Sequence, residues 1–352
     1  MNNKFFTLCI AALFISSISF ATIRRVGFFG PAVANVDYAT LQLAHDAADP
    51  GDTIMMHPGS QIYATITKRL VVIGPGYFLS QNSGLQANTN GTDSTASGLY
   101  ITDPAANGSI FIGCTFAPTG IYITGVGVAN VSFIRCWFNG YSGTNNYSII
   151  VTQNINNFIF QQCVFKGAGV TVTNPAIATN ISFINCLFYN INDGQVTYSL
   201  NFGSGLQHSG LFQNCIFSQA PGSGLLPYLD GTWAMNNCIT NVNYFTGSGI
   251  TYQNNIGTST QFPAGNGNQQ NKLWSNIFTL TGSQDGQYTL KAGSPAIGGG
   301  ISGANCGIFG GTTPYRLSGI PSVPTIYSIT SPQSSTPTVN TVQINLSTRS
   351  NN

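Results

Sequence analysis

Between residues 110 and 260 the side chains able to move a proton or hold a fixed charge, cysteine and tyrosine aside, are Arg135, Lys166, Asp193, His208 and Asp230. Asp193, His208 and Asp230 fall in consecutive segments between apolar runs, and if those segments stack they could meet at one edge. A carboxylate, an imidazole and a second carboxylate, with Lys166 near by, could do general acid/base work or hold one sugar by charge-assisted hydrogen bonds. No spacing rule ties them together, so the competing reading is a set of solvated loop residues. The other acid in reach, Asp103, is about five repeats from Asp230. At ~4.8 Å per repeat that is roughly 24 Å, far beyond the ~5–9.5 Å spanned by carboxylate pairs that cleave glycosidic bonds.

The elements that would position these groups are set by a phrase that recurs about every two dozen residues, Phe-x-x-Cys-x-Phe. It reads FIGCTF, FIRCWF, FQQCVF, FINCLF and FQNCIF around Cys114, Cys136, Cys163, Cys186 and Cys215, then weakens to MNNCIT around Cys238. YQNNIG and LWSNIF continue it with Asn255 and Asn276 at the cysteine place. Repetition at such a period marks a stacked solenoid whose units cannot fold alone. A second recurring strand, LYIT, IYIT, IIVT, VTVT and SLNF, begins at residues 99, 121, 149, 170 and 199. Phe133 and Cys136 are three apart, yet both columns are apolar, which a strict two-residue alternation forbids. One left-handed bend residue before each cysteine restores inward pointing for both, and Gly and Asn are common there because they tolerate that backbone. The cysteines then form an inward thiol column between two phenylalanine columns rather than disulfides or a metal site, since a ladder spaces its ligands along a line.

The position after each cysteine holds Thr115, Trp137, Val164, Leu187, Ile216 and Ile239, continued by Ile256 and Ile277. Alternation turns this column outward although it is nearly all apolar. Trp137, Val164, Leu187, Ile216 and Ile239 are therefore candidate partner-binding residues, the alternatives being cover by the chain's own loops or by its C-terminal tail.

Residues 38–74 give a short apolar helical face at Leu41, Leu43, Ala44, Ala47 and Ala48, stopped by Pro50-Gly51, then strands ending at Val71, Val72 and Ile73. This run resembles the N-terminal cap and first coils of the right-handed parallel β-helix group, the pectate-lyase-like superfamily of secreted proteins. Residues 285–315, with Gly-Ser-Pro-Ala-Ile before Cys306-Gly307-Ile308-Phe309, resemble the closing coils of many secreted bacterial members. The resemblance covers about 270 residues and implies an all-β fold: a right-handed parallel β-helix solenoid with an N-terminal capping helix and a short C-terminal hairpin-like tail. With seven steps from Cys114 to Asn276 and a few coils at each end, the expected rod is ~50–60 Å long. In enzymes of the group the resemblance implies acids and an arginine along one strand set. Here the outward positions of that set, from Tyr100 and Thr102 to Asn201, carry no charge.

Charged residues make up 6% of the chain, glutamate is absent, and the net charge is +2, so no basic stripe suits nucleic acid. Residues 1–21, with Lys4, a short apolar run and small residues at Ser19 and Ala21, read as an export signal too short to span a membrane. His45 and His57 read as polar groups of the cap. The expected organisation is a signal over 1–21, a β-helix over 22–320 and a strand tail over 321–352. The expected role is a secreted or cell-surface, non-catalytic binding or scaffold protein that engages a polysaccharide or a surface protein, without cofactor or metal, with membership of an outer-surface complex as one form of that role. The alternative is a polysaccharide lyase or glycoside hydrolase using Asp193, His208, Asp230 and Lys166.

Overall fold

The computed structural model describes residues 21–27, 35–59, 63–86, 95–96, 98–116, 120–140, 147–167, 169–189, 198–203, 205, 207–219, 226–331 and 343–350. The expected export signal lies, except for Ala21, outside them. Each coil of the right-handed parallel β-helix contributes one strand to each of three parallel sheets. The first sheet has ten strands and includes Ile110–Ile112, Ser132–Ile134 and Ile159–Gln161. The second has eight, among them Trp137–Asn139 and Val164–Lys166, directly after the cysteines. The third also has eight, and holds Leu99–Ile101, Ile121–Ile123 and Ile149–Val151.

Between the first and second sheets stands the bend. The residue before each cysteine, Gly113, Arg135, Gln162, Asn185, Asn214 and Asn237, has φ between 53° and 61°. Arg135 and Gln162 show that the corner is imposed even on residues that do not favour it, at a cost of roughly 1–2 kcal/mol each. The return is that Phe and Cys both face inward. Phe111, Phe133, Phe160, Phe183 and Phe212 stack with ring centroids 4.7–5.3 Å apart. The parallel column Phe116, Phe138, Phe165, Phe188 and Phe217 stacks at 4.5–5.2 Å.

The cysteines between these columns are free and buried. From Cys136 onward each thiol of the column donates to the carbonyl of the phenylalanine one coil back: Cys136 to Phe111 at 3.4 Å, Cys163 to Phe133 at 3.2 Å, Cys186 to Phe160 at 3.2 Å. Burial pushes the thiols of Cys163 and Cys215 well up, so they stay protonated and keep that donor. Where the phrase changes, the bond persists. Asn255 stands in the cysteine place and donates Nδ2 to Met235 O, the equivalent carbonyl, at 2.7 Å.

The N-terminal end is closed by helix α1, Leu41–Ala47, whose first turn is capped by Thr40 Oγ1 accepting from Leu43 N. Leu41, Ala44 and Ala48 are buried, whereas Leu43 and Ala47 face out. His45 joins the buried face, its Nε2 accepting from Thr67 N at 3.1 Å.

The C-terminal third departs from expectation. The ladder ends at Ile256–Gly257, and Trp274–Ile277 is a single helical turn, so Asn276 does not continue the cysteine column. Residues 299–321 add no coil. They run back along the rod against the bend residues, in descending order of coil. Asn254 Nδ2 donates to Gly299 O at 3.2 Å, Asn237 Oδ1 accepts from Ile301 N at 2.8 Å, and Asn214 Nδ2 donates to Asn305 O at 2.8 Å. Asn185 Nδ2 reaches both Ile308 O and Gly310 O at 2.8 Å, Gln162 Nε2 reaches Thr313 O at 3.1 Å, and Arg135 Nη1 reaches Ile320 O at 2.7 Å. The strap lies so close that a Cβ on Gly310 would come within 2.7 Å of the Asn214 side-chain amide. With ten strands in the longest sheet, the rod is about 43 Å, shorter than expected because the last segment returns.

Replacing Asn185 separates its two tasks. Asn185→Gly keeps the bend and loses the bonds to Ile308, Gly310 and Thr313, an expected loss of about 3 kcal/mol at ~1 kcal/mol per net hydrogen bond. Asn185→Ala adds backbone strain and should lose about 1 kcal/mol more. Urea unfolding of both variants checks this, and equal stability of the two would show that the bend costs nothing.

Candidate functional site

The three-residue edge suggested by the sequence does not assemble as a reactive centre. Asp193 lies outside the described residues. His208 is 1% exposed, at the turn entering Ser209–Gln213 of the first sheet. Its Nδ1 accepts from Ala178 N at 3.1 Å, so Nε2 carries the proton and donates to Gly203 O at 3.2 Å. Both nitrogens are thus spent on backbone, and the Phe202 ring stands edge-on at 6.0 Å. Burial, partly offset by Gly203 O and the charge of Asp230, pulls the His208 pKa below the usual imidazole value.

Asp230 is half-buried, one coil on. Its Oδ2 accepts from Gly205 N at 3.1 Å and its Oδ1 from Ser248 Oγ at 3.3 Å. Gly231, at φ 111°, follows because a Cβ there would strike the backbone of His208. These are the bonds of a corner that pins neighbouring turns. Lys166 ends a strand of the second sheet, in register with Asn139 and Tyr189, on a different sheet from His208. His208 and Asp230 are therefore neighbours, but Lys166 does not join them.

The apolar column after the cysteines is corrected more sharply. Val164, Leu187, Ile216 and Ile239 are fully buried and Trp137 is partly so. They form a second core outside the solenoid wall with Tyr77, Phe278, Tyr288, Ile308 and Tyr315. Trp137 packs on Phe78 at 4.6 Å. The cover comes from the chain's own segment 274–320 and from residues 77–78, not from a partner and not from the C-terminal strand tail. The column is apolar because it is interior once the strap is in place.

Under the strap sits a carboxylate that the sequence did not single out. Asp285 is fully buried and, among the described residues, makes no ion pair. Asn82 Nδ2 and Ser283 Oγ donate to its Oδ1 at 3.0 and 2.7 Å, and Tyr315 OH and Ser318 N to its Oδ2 at 3.0 and 2.6 Å. Tyr77 OH meets Tyr315 OH at 2.9 Å. Four donors satisfy the charge and tie three distant segments together, which is a structural task.

Among the described residues, the outer face of the third sheet is a further candidate surface. In register along it stand Thr65, Tyr100, Tyr122, Ile150, Thr171 and Asn201, all half-buried and none charged. Tyr100 and Tyr122 stack at 5.0 Å with an interplanar angle of 12°. Tyr63, 53% exposed, stands across Tyr100 at 6.5 Å and 74°. The signal was the tyrosine at the centre of two successive LYIT and IYIT strands, which composition presents as ordinary strand filling.

No family model and no curated protein matches the chain. Among solved structures it is similar to a rhamnogalacturonan lyase, with a TM-score of 0.35 and 14% identity over 67% of this chain and 74% of that one. A likeness of that extent says nothing about chemistry. Among the described residues no helix is long and apolar enough to cross a membrane.

The state of His208 makes the corner pH-sensitive. The folded imidazole binds its proton less well than the unfolded one, whose pKa is about 6.5. Stability is therefore full above that value and is lost as pH falls toward the lower folded pKa. The melting temperature should drop between pH 7.5 and 5. His208→Gln, which can keep both backbone bonds without titrating, should show a smaller drop, and an unchanged drop would clear His208 of the effect.

Proposed function

We propose that the chain is a secreted, non-catalytic β-helix that holds a neutral polysaccharide along its third sheet. The observation that carries this reading is the uncharged strip led by Tyr63, Tyr100 and Tyr122. Tyrosine joins an apolar ring to a polar tip, so it can pack on the C–H face of a sugar and bond its hydroxyls. Tyr63, Tyr100 and Tyr122 come from three successive coils and offer ring contacts about every 4.8 Å, a spacing suited to a linear chain lying parallel to the axis. An acidic glycan would call for cations, and the described residues in register along this face include none. The non-catalytic part is supported by His208 and Asp230, whose polar atoms are engaged in holding adjacent turns. Export rests on the sequence pattern of residues 1–21.

Affinity electrophoresis of the purified protein in gels containing neutral or acidic polysaccharides tests this. Retardation is expected on at least one neutral polymer and should weaken about three- to tenfold in Tyr122→Ala, the worth of one aromatic contact. New reducing ends, or absorbance at 235 nm that Asp230→Ala abolishes, would replace this reading with an enzyme. Retardation on acidic polymers alone would remove the tyrosine strip from consideration.

A further inference from the structure

Past the end of the ladder, two stretches that add no strand face each other across a cleft of about 490 Å³. One wall comes from residues 271–276 and the other from residues 291–295. Both walls are pinned by the fold itself. Lys272 N donates to Gly257 O at 3.0 Å, Asn271 N to Ser259 O at 3.1 Å and Lys291 N to Ile277 O at 2.9 Å, while Pro295 O accepts from Gln269 Nε2 at 3.2 Å. Lys291, Ala292 and Gly293 are exposed, so the cleft opens to solvent. None of its lining residues belongs to a strand of the third sheet.

The charge of this cleft has one sign. Lys272 and Lys291, two of the chain's five lysines, line it, and no acid is among the described lining residues. After Asp230 the one acidic side chain in the sequence is Asp285, which is buried with four donors already on its carboxylate. In a chain with 6% charged residues, two cations gathered at one cleft without a counter-charge set up a field that draws anions. Lys291 Nζ donates to Ser275 O at 3.4 Å, which steadies its stem and leaves two N–H groups of the ammonium for a ligand. Asn271 and Asn276 add side-chain amides, and among the described residues neither amide is bonded to the protein. Leu273 and Pro295 supply an apolar border.

We propose that this cleft binds a phosphate monoester carried on a small polyhydroxyl body, a sugar phosphate in its simplest form. A carboxylate or a sulfate ester carries a single charge and would leave one ammonium uncompensated, whereas a phosphate monoester carries about −1.5 to −2 at pH 7 and answers both lysines. Lysine meets phosphate as a point charge, so the pair needs no fork geometry. The cleft is larger than the anion alone requires and lies in the range of about 300–1,000 Å³ that takes small organic ligands. The amides serve the hydroxyls of the body, and Leu273 and Pro295 its C–H face. This site is independent of the tyrosine strip, so either can fail without the other.

Isothermal titration calorimetry of the full chain at low ionic strength, with glucose 6-phosphate as the probe, tests this. Saturable binding with a Kd of about 0.1–1 mM is expected, with no detectable binding of glucose and about five- to tenfold weaker binding of glucuronate and of inorganic phosphate. Lys272→Gln and Lys291→Gln should each weaken binding of glucose 6-phosphate about five- to tenfold, and Lys166→Gln, outside the cleft, should leave it unchanged. Neither replaced lysine is buried, and thermal melts followed by circular dichroism establish that the variants fold. Glucuronate bound as tightly as glucose 6-phosphate would overturn the need for a dianion, and inorganic phosphate bound as tightly would overturn the polyhydroxyl body; either result sinks the proposal. No saturation by about 10 mM, or unchanged binding in both lysine variants, would remove the cleft as a site altogether.

Discussion

One residue per coil held in the left-handed backbone region governs this molecule. With φ near 55° before each cysteine, the chain turns its corner between the first and second sheets. That turn aims phenylalanine and cysteine inward together, which an unbroken strand could not do. It also points the bend residue's own side chain away from the core, where Asn185, Asn214, Asn237 and Asn254 find the strap. Two separate cores therefore depend on one backbone conformation: the phenylalanine and thiol columns inside, and the aliphatic column beneath the strap outside. Asparagine suits the place twice over, tolerating the backbone and carrying both a donor and an acceptor.

Much of the interior was legible because it is periodic. The spacing of Phe111, Cys114 and Phe116, repeated five times, specified the bend, the inward thiols and the three strands per coil. The capping helix was legible in position, though not in which of its alanines and leucines face inward. The strap was not legible. It has no period, and it is recognised through its backbone carbonyls by side chains 45 to 185 residues away. Sequence pattern records what a residue is, not whose carbonyl it meets. The same blindness turned Val164, Leu187, Ile216 and Ile239 into an expected docking stripe, since alternation gives the direction of a side chain but not what lies in that direction.

The site fared in the same way. His208 and Asp230 were found by type and their proximity by repeat number, but their roles come from partners that no motif announces: Ala178, Gly203, Gly205 and Ser248. Asp285 shows the converse. An acid in a chain nearly free of charge invites a reading as catalyst, yet four short donors make it a knot. With so few charges in the chain, the outer face of the third sheet presents rings, hydroxyls and an aliphatic side chain spread along the rod.

The strap has a consequence for how the chain comes apart and together. A solenoid held only by contacts between neighbours behaves as a one-dimensional array, free to fray from either end. Here the same stretch is fastened to coils from Asn254 back to Arg135, and the last of these bonds joins residues 185 apart. Early coils can form locally, but the strap can dock only when every coil it crosses is in register. Such a long-range closure links the stability of distant coils and favours a single concerted transition over progressive fraying. A mistake in the stacking of any one coil would leave the strap unable to close.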